Sequence, residues 1–133
     1  MQHEQRQTQP TNGASGFVCP RCGGALWEHG DGASPSFECR IGDRYSEAEL
    51  WIAHSAARNQ ALLTAARALA ENAAVARRIA LSAEQRGDVA VAARLEAEAR
   101  DEERLYAQVR AMIDGLPELD ADGTARSGDG ETA

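Results

Sequence analysis

The sequence holds only three cysteines, and all of them fall between residues 19 and 39. Cys19 and Cys22 form a Cys-x-x-Cys pair followed by two glycines, and Cys39 opens the segment Cys-Arg-Ile-Gly-Asp. A Cys-x-x-Cys turn points two sulfurs at one place, and glycine allows the backbone conformations that such a turn needs. Because a distant third thiol closes most of a tetrahedron, the spacing predicts a small zinc site with Cys19, Cys22 and Cys39 as ligands.

The fourth ligand is predicted to be Asp43, four residues after Cys39. Its carboxylate can reach the same metal if the chain turns at Gly42, and carboxylate is an acceptable though harder zinc donor. His29, in the turn between two strands, and His54, near the start of a helix, are alternatives. For each histidine, a solvated or capping role is favoured over a role as a metal ligand.

Two other interpretations of the thiols are a redox pair and unmetallated thiols that pack as small hydrophobic groups. A catalytic Cys-x-x-Cys usually lies at a helix N-terminus, which lowers the pKa of one thiol. Here two glycines and a strand follow Cys22 instead. The pattern therefore favours the metal.

Changes in composition divide the chain into four parts. Residues 1–16 are polar and are predicted to be a disordered leader, and residues 116–133 are predicted to be a disordered acidic tail. Residues 17–46 alternate strand character with turn formers, which predicts a zinc-ribbon-like β-hairpin. Residues 47–115 are rich in alanine and predict an αα-hairpin. The predicted fold class is mainly α, a small zinc-knuckle β-hairpin followed by a long antiparallel two-helix hairpin.

The helix ends are marked by capping residues. Ser46 and Glu49 have the spacing of a capping box, Gly87 and Asp88 end one helix and begin the next, and Gly115 ends the second. The predicted apolar stripes are Leu62, Ala65, Leu69, Ala73, Ala76, Ile79 and Ala83 on the first helix and Val91, Leu95, Ala99, Tyr106, Val109 and Ile113 on the second.

The first predicted helix is the longer one, so its first turns extend beyond the second helix. Residues 47–59 form this overhang and carry Leu50, Trp51 and His54. We expect the overhang to pack on the β-hairpin, with Trp27 and Trp51 sealing the contact, because the chain has few other aromatic side chains.

Charge and hydropathy exclude several classes of protein. The chain has 14 basic and 21 acidic residues, a net charge of -7, which disfavours binding to nucleic acid phosphates. No apolar run has the roughly 20 residues that a membrane span requires, and the N-terminus lacks the apolar segment of a secretory signal. These features predict a cytoplasmic protein, a compartment in which thiols stay reduced.

No arrangement of residues that is typical of an enzyme is found. The chain has no nucleophile elbow, no phosphate-binding glycine loop and no evident carboxylate pair in a cleft. The sequence therefore predicts that the protein is not an enzyme.

Two segments carry a resemblance to a known family. The run Phe17-Val-Cys-Pro-Arg-Cys-Gly-Gly-Ala-Leu-Trp-Glu28 and the run Phe37-Glu-Cys-Arg-Ile-Gly-Asp-Arg-Tyr-Ser46 resemble the C-terminal appendage of some CheB-type chemotaxis receptor methylesterases. The likeness continues through the helices to about residue 113, and Asp43 stands where the family pattern has His. The resemblance implies this fold in a setting of bacterial signalling, and it does not transfer esterase activity.

The predicted function is that of a non-enzymatic, zinc-stabilised protein–protein interaction module. Its partner is a protein of unknown identity, and self-association through the helices is part of the prediction because thin two-helix cores gain stability in four-helix arrangements. One alternative is a zinc-ribbon accessory factor of nucleic-acid or transcription machinery, with Arg21, Arg40 and Arg44 on one face. A further alternative is a hydrolase with an open zinc position.

Overall fold

The structure is a computed structural model that describes residues 11–117, with side chains from residue 13 onward. A four-stranded sheet is followed by two long helices, which confirms the predicted fold class. In chain order the elements are β1 (Thr11–Val18), β2 (Ala25–His29), β3 (Ser36–Cys39), β4 (Arg44–Ser46), α1 (Glu47–Gln85) and α2 (Val89–Asp114).

The sheet is antiparallel throughout and has the order β1-β2-β3-β4, so each strand pairs with its neighbour in the chain. The two central strands are the pair predicted from the sequence, with Leu26 opposite Cys39 and Glu28 opposite Phe37. Along β2 the buried Leu26 is followed by the exposed Trp27. Along β3 the buried Phe37 and Cys39 lie on either side of the half-buried Glu38. This alternation is the period of two that a half-buried strand shows.

Strand β1 corrects one prediction. It begins at Thr11, so residues 11–16 belong to a strand and not to a disordered leader; residues 1–10 lie outside the described range. Strand pairing uses backbone groups, which this polar segment supplies as well as an apolar one does. Ser15 adds a side-chain hydrogen bond by donating its hydroxyl to the Leu26 carbonyl at 2.8 Å. Of the predicted acidic tail, residues 116–133, all but the first two residues also lie outside the described range.

The chain divides into two compact units, with the boundary after Ala57 in α1. In the first unit a small apolar cluster lies under the sheet, and Tyr45 packs against it. The buried members of this cluster are Cys19, Leu26, Phe37, Cys39 and Leu50. Leu50 comes from the first turns of α1, so the predicted packing of the overhang on the sheet is confirmed there.

The predicted role of the two tryptophans is wrong. Trp27 and Trp51 are 40% and 52% exposed, and neither belongs to the buried cluster. Trp27 is excluded by the alternation of β2, which points its neighbour Leu26 into the cluster. Trp51 directly follows Leu50, and successive helix positions face directions about 100° apart. Only one of the two can face the sheet.

Both helices begin at the predicted caps. The Glu49 N–H donates to Ser46 Oγ at 3.1 Å, and the Val91 N–H donates to Asp88 Oδ1 at 3.3 Å. Gly87 has a φ of +75°, a left-handed conformation that lets the Asp88 N–H reach the Ala83 carbonyl at 2.9 Å. Such a glycine after the last turn satisfies carbonyls that the helix end leaves unpaired.

In the second unit α1 and α2 pack along a seam built almost wholly of alanine. The buried residues are Ala66, Ala73, Ala76, Ala80, Ala83, Ala92 and Ala99. Arg77 bridges the two helices on one side of this seam through Glu96 at 2.7 Å and Glu103 at 2.8 Å. Because alanine has no side chain beyond Cβ, the helix backbones can approach closely along such a seam.

The predicted stripes are correct at Ala73, Ala76, Ala83 and Ala99, which are buried, and wrong at Ala65, Ile79 and Tyr106, which are exposed. The other predicted members are half-buried: Leu62, Leu69, Val91, Leu95, Val109 and Ile113. Ile79 is 43% exposed whereas Ala80 is fully buried, and Ala65 is exposed whereas Ala66 is buried. From Ala73 to Ala83 the buried alanines are three or four residues apart, which keeps them on one face of α1. The larger side chains next to them in the sequence, such as Ile79, lie outside this face. Neither helix, within the described residues, combines the length and apolar character that crossing a membrane requires.

The alanine seam generates a stability prediction. Ala80→Leu places three additional carbons where no space exists, and it should lower the free energy of unfolding by about 1–3 kcal/mol. Ala74→Leu, at an exposed position of the same helix, is the matched control. Urea unfolding followed by circular dichroism measures both variants, and equal stabilities would show that the seam is not closely packed.

Candidate metal centre

The first two cysteines lie in a tight turn between β1 and β2. The Cys19 N–H donates to the Gly24 carbonyl at 2.7 Å, and the Gly23 N–H donates to the Cys19 carbonyl at 2.8 Å. Gly23 has a φ of +74°, which a residue with a side chain rarely adopts. The Gly24 N–H points at Cys22 Sγ, 3.4 Å away. The turn thus fixes both thiols and donates a backbone hydrogen bond to one of them.

A second turn of the same kind carries Cys39. Its N–H donates to the Asp43 carbonyl and its carbonyl accepts from the Gly42 N–H, both at 3.0 Å. Gly42 has a φ of +108°. A second Cys-x-x-Cys pair would place a thiol at position 42, where this chain has glycine. The nearest side chain with a metal-binding group is therefore that of Asp43.

The two turns bring the three sulfurs together. Cys19, Cys22 and Cys39 each present a sulfur, and these atoms all lie within 4.8 Å of one another. Cys19 and Cys39 are buried, whereas Cys22 is exposed, and all three are free thiols. The three cysteines are positioned to bind a metal ion, as the spacing predicted.

Asp43 lies beside two of the three thiols. Its Oδ2 atom is 3.8 Å from Cys19 Sγ and 3.7 Å from Cys39 Sγ. Its other oxygen, Oδ1, accepts from Arg21 Nη1 at 3.4 Å. The group of mutually close ligand atoms contains the three sulfurs and does not include this carboxylate. Asp43 is therefore adjacent to the cluster, and its approach to Cys22 is the longest of the three.

The two histidines considered as alternative ligands have other contacts. His54 Nε2 lies 2.8 Å from the Val18 carbonyl, which accepts its hydrogen bond and joins α1 to the end of β1. His29 Nε2 lies 3.8 Å from Glu38 Oε2 on the neighbouring strand. Neither imidazole belongs to the group of close metal-binding atoms. His54 therefore acts as a structural contact just before Cys19.

Tyr45 is a residue of this site that the sequence reasoning did not assign. Its hydroxyl lies 3.5 Å from Cys19 Sγ, and its ring packs against the buried cluster. It belongs to β4, where Phe37 of β3 is its partner in the sheet. The sequence does contain a signal for Tyr45, which lies two residues after Asp43. Alternate residues of an extended chain face the same side, so both side chains can face the thiols.

The surroundings of Cys19 favour its thiolate. Burial disfavours the charged form, but hydrogen bonds from the Cys22 N–H, the Tyr45 hydroxyl and the Arg21 N–H outweigh it and lower the pKa of Cys19 to about 7. The hydrogen bond with Cys19 raises the pKa of Tyr45 to about 12, and burial and the nearby charges of Cys19, Asp43 and Cys39 act in the same direction.

Cys22 responds in the opposite direction. The Gly24 N–H favours its thiolate, but hydrogen bonding with Cys19, burial and the interaction with Cys39 together raise the pKa of the Cys22 thiol. Crowded thiols of this kind do not all ionise in the absence of a cation, because each thiolate disfavours the next. A bound metal ion removes that conflict.

Comparison of the chain with protein-family models, curated proteins and solved structures finds no match. The resemblance to CheB-type appendages therefore remains a prediction from the two cysteine-bearing motifs.

The hydrogen bond between Tyr45 and Cys19 generates a pH prediction. In the metal-free protein the first thiolate should form with a midpoint near pH 7. Because a lowered thiol pKa means that the folded state favours the thiolate, this contribution to stability is lost as the pH falls through about 7. Tyr45→Phe removes a donor, so it should move the midpoint upwards.

Ultraviolet absorbance of the thiolate, recorded across a pH titration, measures this midpoint. Cys19→Ser is the control that should abolish the low transition. An unchanged midpoint in Tyr45→Phe would contradict the assigned role of the hydroxyl.

Proposed function

We propose that this protein is a non-enzymatic interaction module in which a zinc ion, bound by Cys19, Cys22, Cys39 and Asp43, stabilises the sheet that precedes the helical hairpin. The observation that carries the proposal is the convergence of three sulfurs beside the apolar cluster of the first unit, to which Cys19 and Cys39 belong while Cys22 is exposed. The metal centre and the core of this unit are one feature.

The size of that core supports a structural role for the metal. Among the described residues of this unit, five form the buried cluster, and two of them are the proposed ligands Cys19 and Cys39. The remaining apolar members, Leu26, Phe37 and Leu50, give this unit much less buried surface than an ordinary domain has. Units this small usually require a metal or disulfides, and metal binding then contributes directly to the free energy of folding.

Zinc is the metal that this donor set suits best. Three thiolates with one carboxylate form a mixed soft and hard set, and zinc accepts both in tetrahedral geometry. With Zn–S near 2.3 Å and Zn–O near 2.1 Å, tetrahedral angles place a ligand oxygen about 3.6 Å from each sulfur. The distances of 3.8 and 3.7 Å from Asp43 Oδ2 to two sulfurs are close to that value.

Asp43 and Arg21 support a closed site over a catalytic one. A catalytic zinc keeps one position open for water, whereas a structural zinc has four protein ligands. Arg21 holds Oδ1 of Asp43 and leaves Oδ2 directed at the thiols. Ligand carboxylates are commonly oriented in this way by a hydrogen-bonding neighbour. A closed site supplies no metal-bound water, which favours a module over a hydrolase.

A protein partner accounts for the rest of the chain better than nucleic acid does. Two of the three arginines that a nucleic-acid surface would need are already paired, Arg21 with Asp43 and Arg44 with Glu38 at 2.8 Å. The net charge of -7 acts in the same direction. The helical hairpin exposes large apolar side chains and is the natural surface for a partner protein. The motif resemblance supports a role in bacterial signalling.

The first test is the metal itself. Purified protein should contain one zinc per chain by elemental analysis, and Cys39→Ser should lose most of it because a serine hydroxyl is a poor zinc donor. Removal of the metal with a chelator should reduce the near-ultraviolet dichroism of the aromatic side chains, including Tyr45 against the cluster, while most of the helical signal remains. Protein that contains no metal and keeps an ordered sheet would rule out the proposal.

The second test concerns the fourth ligand. Asp43→Ala should weaken zinc affinity by roughly 10–100-fold, because it removes the carboxylate that we propose as the fourth ligand. His29→Ala is the matched control and should bind zinc as the wild type does. Competition with a chromogenic chelator measures both affinities. If His29→Ala weakens binding and Asp43→Ala does not, the assignment of Asp43 is wrong.

A further inference from the structure

The three thiols of the candidate metal centre differ in exposure. Cys19 and Cys39 are 1% and 3% exposed and belong to the apolar cluster of the first unit, whereas Cys22 is exposed. The Oδ2 atom of Asp43 lies 3.8 and 3.7 Å from the sulfurs of the two buried cysteines. Of the three cysteines, Cys22 is therefore the one that a small molecule in solution can reach.

A second thiol lies close to Cys22 within the same turn. The three sulfurs all lie within 4.8 Å of one another, and Cys19 precedes Cys22 by three residues. The turn is closed by the hydrogen bond from the Cys19 N–H to the Gly24 carbonyl. Because the sulfurs of a disulfide are about 2.0 Å apart, the two atoms need to approach by less than about 3 Å. Gly23 and Gly24 give the backbone of this turn the freedom to adjust.

We propose that Cys22 is a site of oxidation by hydroperoxides, and that its oxidation forms a Cys19–Cys22 disulfide and releases the ion from the metal centre. The inference rests on the proposed function, because it specifies how the same zinc site is regulated. It differs from the cycle of a thiol–disulfide oxidoreductase, since one oxidation changes whether the site is occupied.

The surroundings of Cys22 favour its reaction with peroxide. A cysteine that binds a metal ion is a thiolate, and the thiolate is the nucleophilic form. Arg21 directly precedes Cys22, and its side chain is 79% exposed. Reactive cysteines are typically partly exposed and close to a positive charge. Cys39 also has an arginine beside it in the sequence, Arg40, but its burial removes the first of these two conditions.

The reaction has two steps and needs no reactant other than the peroxide. The Cys22 sulfur attacks one oxygen of hydrogen peroxide, so that an S–O bond forms, the O–O bond breaks and hydroxide leaves, which gives a sulfenic acid. The Cys19 thiolate then attacks the Cys22 sulfur, so that the S–S bond forms and a second hydroxide leaves. The two sulfurs lose two electrons in total, and one peroxide is reduced to two hydroxides.

One disulfide is sufficient to empty this site because the site has only three thiols. The sulfurs of a disulfide are no longer thiolates, and the thiolate is the form that binds zinc. After the reaction Cys39 and Asp43 remain, one thiolate and one carboxylate. A site with four cysteines would keep two thiolates after the same reaction. In this chain glycine occupies position 42, so a single oxidation removes two of the three soft donors.

The structural consequence should be confined to the first unit. Cys19 is part of the buried cluster, and loss of the ion removes a contribution to the free energy of folding of this unit. All three cysteines of the chain lie between residues 19 and 39, and the buried seam of the second unit consists of alanines. Oxidation should therefore loosen the sheet and leave the helices of the second unit folded.

Zinc release from the full chain tests the proposal. Hydrogen peroxide is added to the zinc-containing protein, a chromogenic chelator measures the released zinc, and alkylation followed by mass spectrometry counts the free thiols. We expect one zinc released for each disulfide formed and a fall from three free thiols to one. Dithiothreitol with added zinc should restore three thiols and the bound ion. A protein that keeps its zinc and its three thiols under peroxide that oxidises glutathione in a parallel sample overturns the proposal.

A peptide map of the oxidised wild type identifies the cysteines that react. Cleavage after arginine and glutamate places the three cysteines in separate peptides, because Arg21 separates Cys19 from Cys22 and Glu28 separates Cys22 from Cys39. We expect the first two peptides to be joined by a disulfide and the third to carry a free thiol. A disulfide that contains Cys39, or oxidation of Cys22 without a disulfide, would overturn the assigned pair.

The variant Cys22→His tests the role of the exposed sulfur. Histidine is a zinc ligand but cannot form a disulfide. The variant should therefore release its zinc at least tenfold more slowly than the wild type at the same peroxide concentration. Equal rates would overturn the assignment of Cys22. If the variant does not retain zinc, the peptide map of the wild type still decides which cysteines react.

Zinc content before the addition of peroxide separates this proposal from the previous one. A wild type that contains one zinc and does not release it overturns the oxidative switch and leaves the zinc module in place. A wild type that contains no zinc removes the module and the switch together.

Discussion

The first unit depends on the convergence of three thiols at one point. Cys19 and Cys39 are at once the metal-binding groups and two of the five buried residues of the cluster. Without a cation the crowded sulfurs oppose one another's ionisation: the Gly24 N–H favours the Cys22 thiolate, but Cys19, burial and Cys39 together raise the pKa of the Cys22 thiol. A metal ion converts that conflict into attraction, so the same side chains can supply both the packing and the electrostatic stabilisation of the unit.

The helical unit is stabilised in a different way. Its alanine seam allows close approach of the helices but buries little surface per residue, since each alanine contributes only a methyl group. The larger apolar side chains, such as Ile79 and Leu105, remain exposed. The arrangement leaves apolar surface available for an intermolecular contact, and this is why the proposed role is that of an interaction module.

Local signals made much of this structure predictable. The glycine-flanked cysteines predicted both turns, and Ser46 and Asp88 predicted where the helices begin. The phase of the helical seam could not be read in the same way, because α1 is apolar around much of its circumference and both Ala80 and Ile79 satisfy helical spacing. Which face of a helix is buried depends on how the elements pack against one another, and spacing along the sequence does not report this. The same packing buries Leu50 and leaves Trp51 exposed. Tyr45 was missed because its contact with Cys19 joins positions far apart in the chain.

X-ray absorption spectroscopy at the zinc edge is the most direct test of the central claim, because it reports the atoms around the ion in solution. The account predicts three sulfur neighbours at about 2.3 Å and one oxygen neighbour at about 2.0–2.2 Å. A first shell with a histidine nitrogen in place of that oxygen would contradict the assignment of Asp43. A shell with fewer than three sulfurs would contradict the account as a whole.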